Sequence, residues 1–313
     1  MSQQSSSLSA RFDALTGPVQ GALLMTLGCF GFSVMNILIR YAAAELDPLQ
    51  IAFFRNFFAL ALMLPWLARH FPEALVTGRF KMHLARALFG LTAMLLWFFS
   101  ISVLPLSEAV ALNFTVPLFA TAGAAIFLRE VVRARRWTAT AVGFLGVLII
   151  VRPGFAEVTP LMALPVIAAA FMAISVLLVK SLSATERPAT VVLYMNLLLT
   201  PLSLIPALFV WRWPTWEVWL AVIALGFIAT LAQIMTTRAY KTADASVVLP
   251  FDYTRLPFIA IMAYFAFGQT TDVWTWVGAG VIMASSLYIA RREAKIAAER
   301  RLSRVAASAP QGR

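Results

Sequence analysis

"LPFDYTRLP", residues 249–257, decides how the chain is read. It places Asp252, Tyr253, Thr254 and Arg255 between two prolines, inside a long apolar stretch. An ionised side chain near the centre of a membrane helix costs at least ~2.5–3.5 kcal/mol. Proline removes the N–H that an interior helical turn needs. Such a segment persists only where something compensates for both, so its surroundings matter.

Those surroundings are those of a membrane protein. Of 313 residues, 61% are hydrophobic and 12% charged, about half the charge of a soluble domain. A bilayer core needs about 20 apolar residues per helix. Ten such segments follow one another: 19–41, 49–68, 84–103, 107–128, 137–151, 161–182, 191–211, 216–237, 246–267 and 274–290. The fifth is short, which predicts a thin or partly re-entrant span. Brief connectors make neighbours antiparallel. The polar start, 1–17, precedes a full-length span, longer than the apolar core of a secretory signal. The basic tail, 291–313, has no membrane-length run.

Lysine and arginine report orientation, because cytoplasmic loops are enriched in them. With ten spans, 20 of the 25 fall on the side of the N-terminus and three, Arg40, Arg152 and Arg212, on the other. Arg55 and Arg255 lie within spans. Both termini are therefore expected on the cytoplasmic side. The net charge of +11 follows this topology and calls for no nucleic-acid partner.

The chain also repeats. A shift of 139 residues pairs Ser107 with Ser246, Thr115 with Thr254, Phe119 with Phe258 and Trp137 with Trp276. It sets Asn113 on Asp252 and Phe114 on Tyr253. A shift of 140 pairs Asn56 with Asn196 and Pro117 with Pro257. Five spans per half, an odd number, invert the second half in the membrane. The expected fold is all-α, ten transmembrane helices in two inverted five-helix repeats, 18–152 and 158–290, around a central cavity.

"LPLSEAVALNFTVPLFATAGAAIFLREVVRARRWTATAVGFLGVLIIVRPG" resembles the fourth and fifth helices of EamA-type carriers of the drug/metabolite transporter superfamily. "LPFDYTRLPFIAIMAYFAFGQTTDVWTWVGAGVI" resembles their ninth and tenth. The resemblance runs from about Pro18 to Ala290. It implies ten helices, two inverted halves and a cavity opened alternately to each side. Members move amino acids, nucleosides, S-adenosylmethionine, vitamins such as riboflavin, or amino-acid-derived metallophores. They usually carry an acid after the fourth and ninth helices. Glu130 fits the first place, and Gln269 departs from the second.

The residues with chemical capacity are few. Asp252 and Arg255 share a helix face, as an internal ion pair or as a substrate and proton site. A substrate competing for Arg255 would change the carboxylate's preference for its proton, which gives a route to coupling. Arg55 either binds an anionic substrate group or pairs with Glu108. Glu108 is either a solvated first-turn acid, favoured by the helix dipole, or a proton site. Asn56 and Asn196 supply helix–helix hydrogen bonds or touch substrate. Phe32, Trp97, Phe114, Tyr194 and Tyr253 are candidates to line a cavity, with Trp97 and Tyr253 foremost. Trp211, Trp213, Trp216, Trp219, Trp274 and Trp276 read as an interfacial belt. Pro257 and Pro117 free the carbonyls of Tyr253 and Asn113, for a fixed kink or for gating.

The substrate-binding set is thus Arg55, Trp97, Asn113, Asp252, Tyr253 and Arg255. The lone Cys29 makes no internal disulfide. His70 and His83 are too few for a histidine metal site, and they lie on a loop or helix edge. No lysine stands in a phosphate-binding loop. No cofactor, metal or catalytic residue is expected. The function expected is alternating-access transport of a small organic metabolite, by a monomer or homodimer, possible coupling to protons included. A membrane transferase and a channel are the rivals. Glycine spacings at Gly143/Gly146 and Gly278/Gly280 predict close helix approach.

Overall fold

The computed structural model describes residues 17–71, 75–116, 118–120, 134–152, 159–183, 188–242 and 251–285, with isolated positions 15, 123, 185, 186, 287 and 288. Its regular elements among these residues are all helical. They are α1 Gly17–Ala42, α2 Pro48–His70, α3 Phe80–Val103, α4 Leu106–Asn113, α5 Ala134–Val151, α6 Ala163–Ser183, α7 Pro188–Phe209, α8 Trp216–Thr242 and α9 Arg255–Phe267. The helix Val273–Ser285 is α10. Six of them (α1, α2, α3, α6, α7 and α8) are long and apolar enough to cross a membrane, and the other four are shorter apolar helices. The fifth span, expected thin or re-entrant, is a continuous helix of 18 residues.

Helix starts follow local chemistry. Asp47 accepts the Leu49 N–H at 2.9 Å and Pro48 opens α2, an N-cap followed by the residue best suited to the first position. Gly268, at φ 66°, ends α9 in the left-handed region, where glycine carries no Cβ penalty. Arg40 on α1 donates to the carbonyls of Ile101 and Leu104 at 2.7 and 2.8 Å. Its charge thereby satisfies the end of α3.

Packing is reciprocal. Asn56 on α2 donates to Ser203 on α7 at 3.2 Å, and Asn196 on α7 donates to Met63 on α2 at 3.1 Å. Asn56 and Asn196 are 140 residues apart, as are Met63 and Ser203. The pairs run in opposite directions, so α2 and α7 are antiparallel. Helices α5 and α10 repeat the pattern. A Cβ on Gly143 would meet Ser285, and one on Gly146 would meet Ile282, again with partners exchanged across one offset. At Gly146 it would stand 2.7 Å from the Gly278 carbonyl. The expected close approach is thus between these two helices. Large exposed apolar side chains such as Phe209, Phe265 and Leu208 give the outer surface the character of a lipid-facing one.

Two ends can be named by their residues. At the Trp211 end, Gln50 and Arg212 exchange two hydrogen bonds, and Glu45 accepts from the N–H and hydroxyl of Thr215. At the His83 end, Glu186 accepts from Thr77 and lies 3.1 Å from His83. These clasps pin both ends of the α2–α7 pair.

Candidate functional site

From Phe251 on, the quoted stretch forms a break, not a continuous helix. Phe251 and Asp252 are helical, Tyr253 and Thr254 turn, and α9 begins at Arg255. The first half does the same: α4 ends at Asn113, Phe114 and Thr115 turn, and helix resumes at Val116. The hydrogen bonds correspond one for one. Thr115 and Thr254 each return their N–H and hydroxyl to the carbonyl three residues back, Leu112 and Phe251. Phe119 and Phe258 donate to the carbonyls of Thr115 and Thr254. A threonine bonding its own backbone competes with the helix ladder, which explains a break at the same place twice.

One expectation is corrected here. The Tyr253 carbonyl is not left free by Pro257, because Leu256 N–H donates to it at 3.2 Å in a tighter turn. Pro117, its counterpart, lies outside the described residues, as does Glu130.

The breaks meet. The rings of Phe114 and Tyr253, 139 residues apart, pack edge to face at 4.9 Å and 73°. Beside them Arg255 donates to Asp252 at 2.7 Å, with the two side chains 22% and 31% exposed. This pair is open enough for a ligand and paired enough to exist within a span. Helix α1 supplies a third wall. Cys29 Sγ lies 3.6 Å from the Asp252 carboxylate, Ser33 donates to the Arg255 carbonyl at 3.3 Å, and the guanidinium carbon of Arg255 sits 5.0 Å from the Phe32 ring centroid. That last contact is a cation–π arrangement. Cys29 and Ser33 were not read as site residues from sequence. Their four-residue spacing on one face of α1 was the available signal.

Arg55 is buried and donates to Asn56 at 2.8 Å. Its pairing with Glu108 is not made. Glu108 instead feels the charges of Asp272 and Arg152. Trp97 packs against the main apolar core. Asn113 ends α4, one residue before the Phe114 ring. Tyr194 stands apart from the aromatic group: it stacks on His83 at 4.6 Å and donates to the Leu75 carbonyl. His83, expected at a helix edge, is buried with Glu186. Arg86, near the start of the third span, is buried in α3 and donates to the Val191 carbonyl. Trp211 and Trp219 pack on Phe54, so part of the tryptophan belt is core. Among the described residues no His, Cys, Asp and Glu gather into a metal site.

Helices of membrane length, matching breaks after α4 and before α9, and a charged pair against the Phe32 ring are features of a multi-pass membrane transporter. The comparisons agree. The EamA-like transporter family matches residues 19–152 and again 160–291. The chain belongs to that family. It is 36% identical to a riboflavin transporter of Vibrio cholerae serotype O1, over 89% of this chain and 95% of that one. It is 33% identical to a riboflavin transporter of Brucella anthropi, over 86% and 98%. A Rickettsia bellii S-adenosylmethionine uptake transporter is 29% identical, over 90% and 97%. A solved crystal structure shares the fold, with a TM-score of 0.57 at 19% identity, covering 85% of this chain and 98% of the other.

Proposed function

We propose that the protein is a secondary carrier that takes up riboflavin across a bacterial inner membrane. Two inverted five-helix halves, 18–152 and 158–290, expose a central site alternately to each side. Both termini face the cytoplasm, as the lysine and arginine bias indicates. The Trp211 end then faces outward.

One observation carries the substrate: relatives named riboflavin transporter align over nearly their whole length at 33% and 36% identity. The site's chemistry supports it. A flat tricyclic ring suits the faces and edges of Phe32, Phe114 and Tyr253. The imide edge of such a ring offers an N–H between two carbonyls, which complements the Asp252 carboxylate and the Arg255 guanidinium. Arg55, Trp97 and Asn113 complete the proposed binding set. A second reading is S-adenosylmethionine, favoured by the more distant relatives and by the Asp252 carboxylate as partner for a cationic group.

Purified protein in liposomes preloaded with riboflavin is expected to accumulate labelled riboflavin by saturable counterflow. Parallel vesicles with S-adenosylmethionine separate the two readings, and absence of riboflavin counterflow overturns the first. Saturable exchange also distinguishes a carrier from a channel or a transferase. Proton coupling is proposed at Asp252, with Glu108 as the second candidate. Asp252→Asn is expected to abolish the pH-gradient-driven part of uptake, and undiminished pH-driven uptake counts against it.

A further inference from the structure

We propose that Arg152, Asp272, Ser107 and Thr271 form the closed outer gate of the transport path. The inference rests on the alternating-access reading above.

Four contacts converge where α4 begins and α9 ends. Thr271 donates to Ser107 at 2.8 Å. The Leu106 N–H, at the first residue of α4, donates to the Gln269 side chain at 3.1 Å. Arg152, just past α5, pairs with Asp272 at 2.5 Å and lies 6.0 Å from the Trp274 ring centroid. Glu108 feels both charges of that pair. Each contact joins the segment matched by the first family copy to the segment matched by the second. Leu106 lies seven residues before Asn113, about 10 Å along a helix. The cluster therefore sits roughly two turns outside the Phe114–Tyr253 crossing, on the way to Asp252.

Arg152 carries a further mark. Its φ is 46°, the sole non-glycine positive value among the described residues. That left-handed conformation is unfavourable for a non-glycine residue, and here it closes the end of α5, with the Arg152 N–H donating to the Leu148 carbonyl at 2.8 Å. The Gln269 position gains a role here. Its uncharged amide serves α4 by accepting a helix N–H that has no partner within the helix.

The chain's single cysteine provides a readout that needs no substrate. Cys29 is fully buried beside Asp252, so a membrane-impermeant maleimide reaches it from outside only through an open outer gate. In right-side-out vesicles, Arg152→Gln and Asp272→Asn are expected to speed outside labelling roughly fivefold or more. Inside labelling, measured in inverted vesicles, should not rise. The exchange Arg152→Asp with Asp272→Arg should return outside labelling toward the parent rate. Unchanged outside labelling in both single variants overturns the gate, as does an equal rise from both sides. Because labelling is independent of the cargo, a failed riboflavin assay leaves this test intact.

Discussion

A buried cation in a membrane helix needs its donors answered, and Arg55 is answered by an amide. Asn56 accepts from Arg55 through its oxygen and donates through its nitrogen to Ser203 and toward Met94. Its counterpart Asn196 donates to the weak acceptor Met63 and leaves its oxygen without a partner among the described residues. The two asparagines occupy matching places but carry unequal loads. Asn56→Ala strands a buried guanidinium and should cost about 1.5–3 kcal/mol, the worth of a hydrogen bond to a charged group. Asn196→Ala should cost about 0.6 kcal/mol, an ordinary interhelical hydrogen bond in a membrane. Thermal unfolding in one detergent ranks them. Equal losses at the two sites would contradict the assignment of Asn56 as partner to Arg55.

The two clasps on the α2–α7 pair show how far symmetry extends between elements. Glu45 holds Thr215 at one end and Glu186 holds Thr77 at the other. The glutamates lie 141 residues apart and the threonines 138. Only the second clasp includes a histidine, with Arg79 beside it, donating to the Ser181 carbonyl. Burial alone would push the Glu186 carboxyl up. Hydrogen bonds from Thr77 and His83 and the charges of His83 and Arg79 outweigh it, and hold the carboxyl below its ordinary range. A depressed carboxylate contributes stability that is present above its unfolded value, about 4.3, and lost as pH falls through the folded value. Thermal stability of the parent should therefore fall more steeply below about pH 4.3 than that of Glu186→Gln. Parallel curves would remove the clasp from the acid response. Helix order was legible because apolar length and connector charge are local properties. The break before α9 was legible too, since prolines and charges mark it. The threonine turns, the carbonyl taken by Leu256, the burial of His83 and the wall of Cys29 and Ser33 were not. Each depends on which helix lies opposite, and nothing local in α1 states that it faces residues 252–255.

At the scale of the molecule, the proposed exchange of conformation between two inverted halves would keep some contacts and break others. Phe114 and Tyr253 are each other's counterparts, so a contact between them survives an exchange of conformation between the halves. The Asn56–Ser203 and Asn196–Met63 contacts likewise convert into each other. Contacts between α1 and α9 have no such protection. Cys29, Phe32 and Ser33 grip residues 252–255, and Phe30 packs edge to face on Phe258 at 5.6 Å. At the same offset α6 carries Ala168, Ala169, Phe171 and Met172, the counterparts of Cys29, Phe30, Phe32 and Ser33. In this structure Phe171 packs with Phe89 of α3 instead, at 6.0 Å. Exchange of the halves therefore predicts that α1 releases α9 while α6 closes on α4. Paired spin labels in a Cys29→Ser background measure it, with Leu27→Cys and Ile261→Cys reporting α1–α9, and Ile167→Cys and Phe119→Cys reporting α6 against the helix that resumes after α4. Conditions that shift the population should lengthen the first distance and shorten the second. Movement of both distances in the same direction would mean that the halves breathe together, and the carrier would then work by a motion that its repeat does not encode.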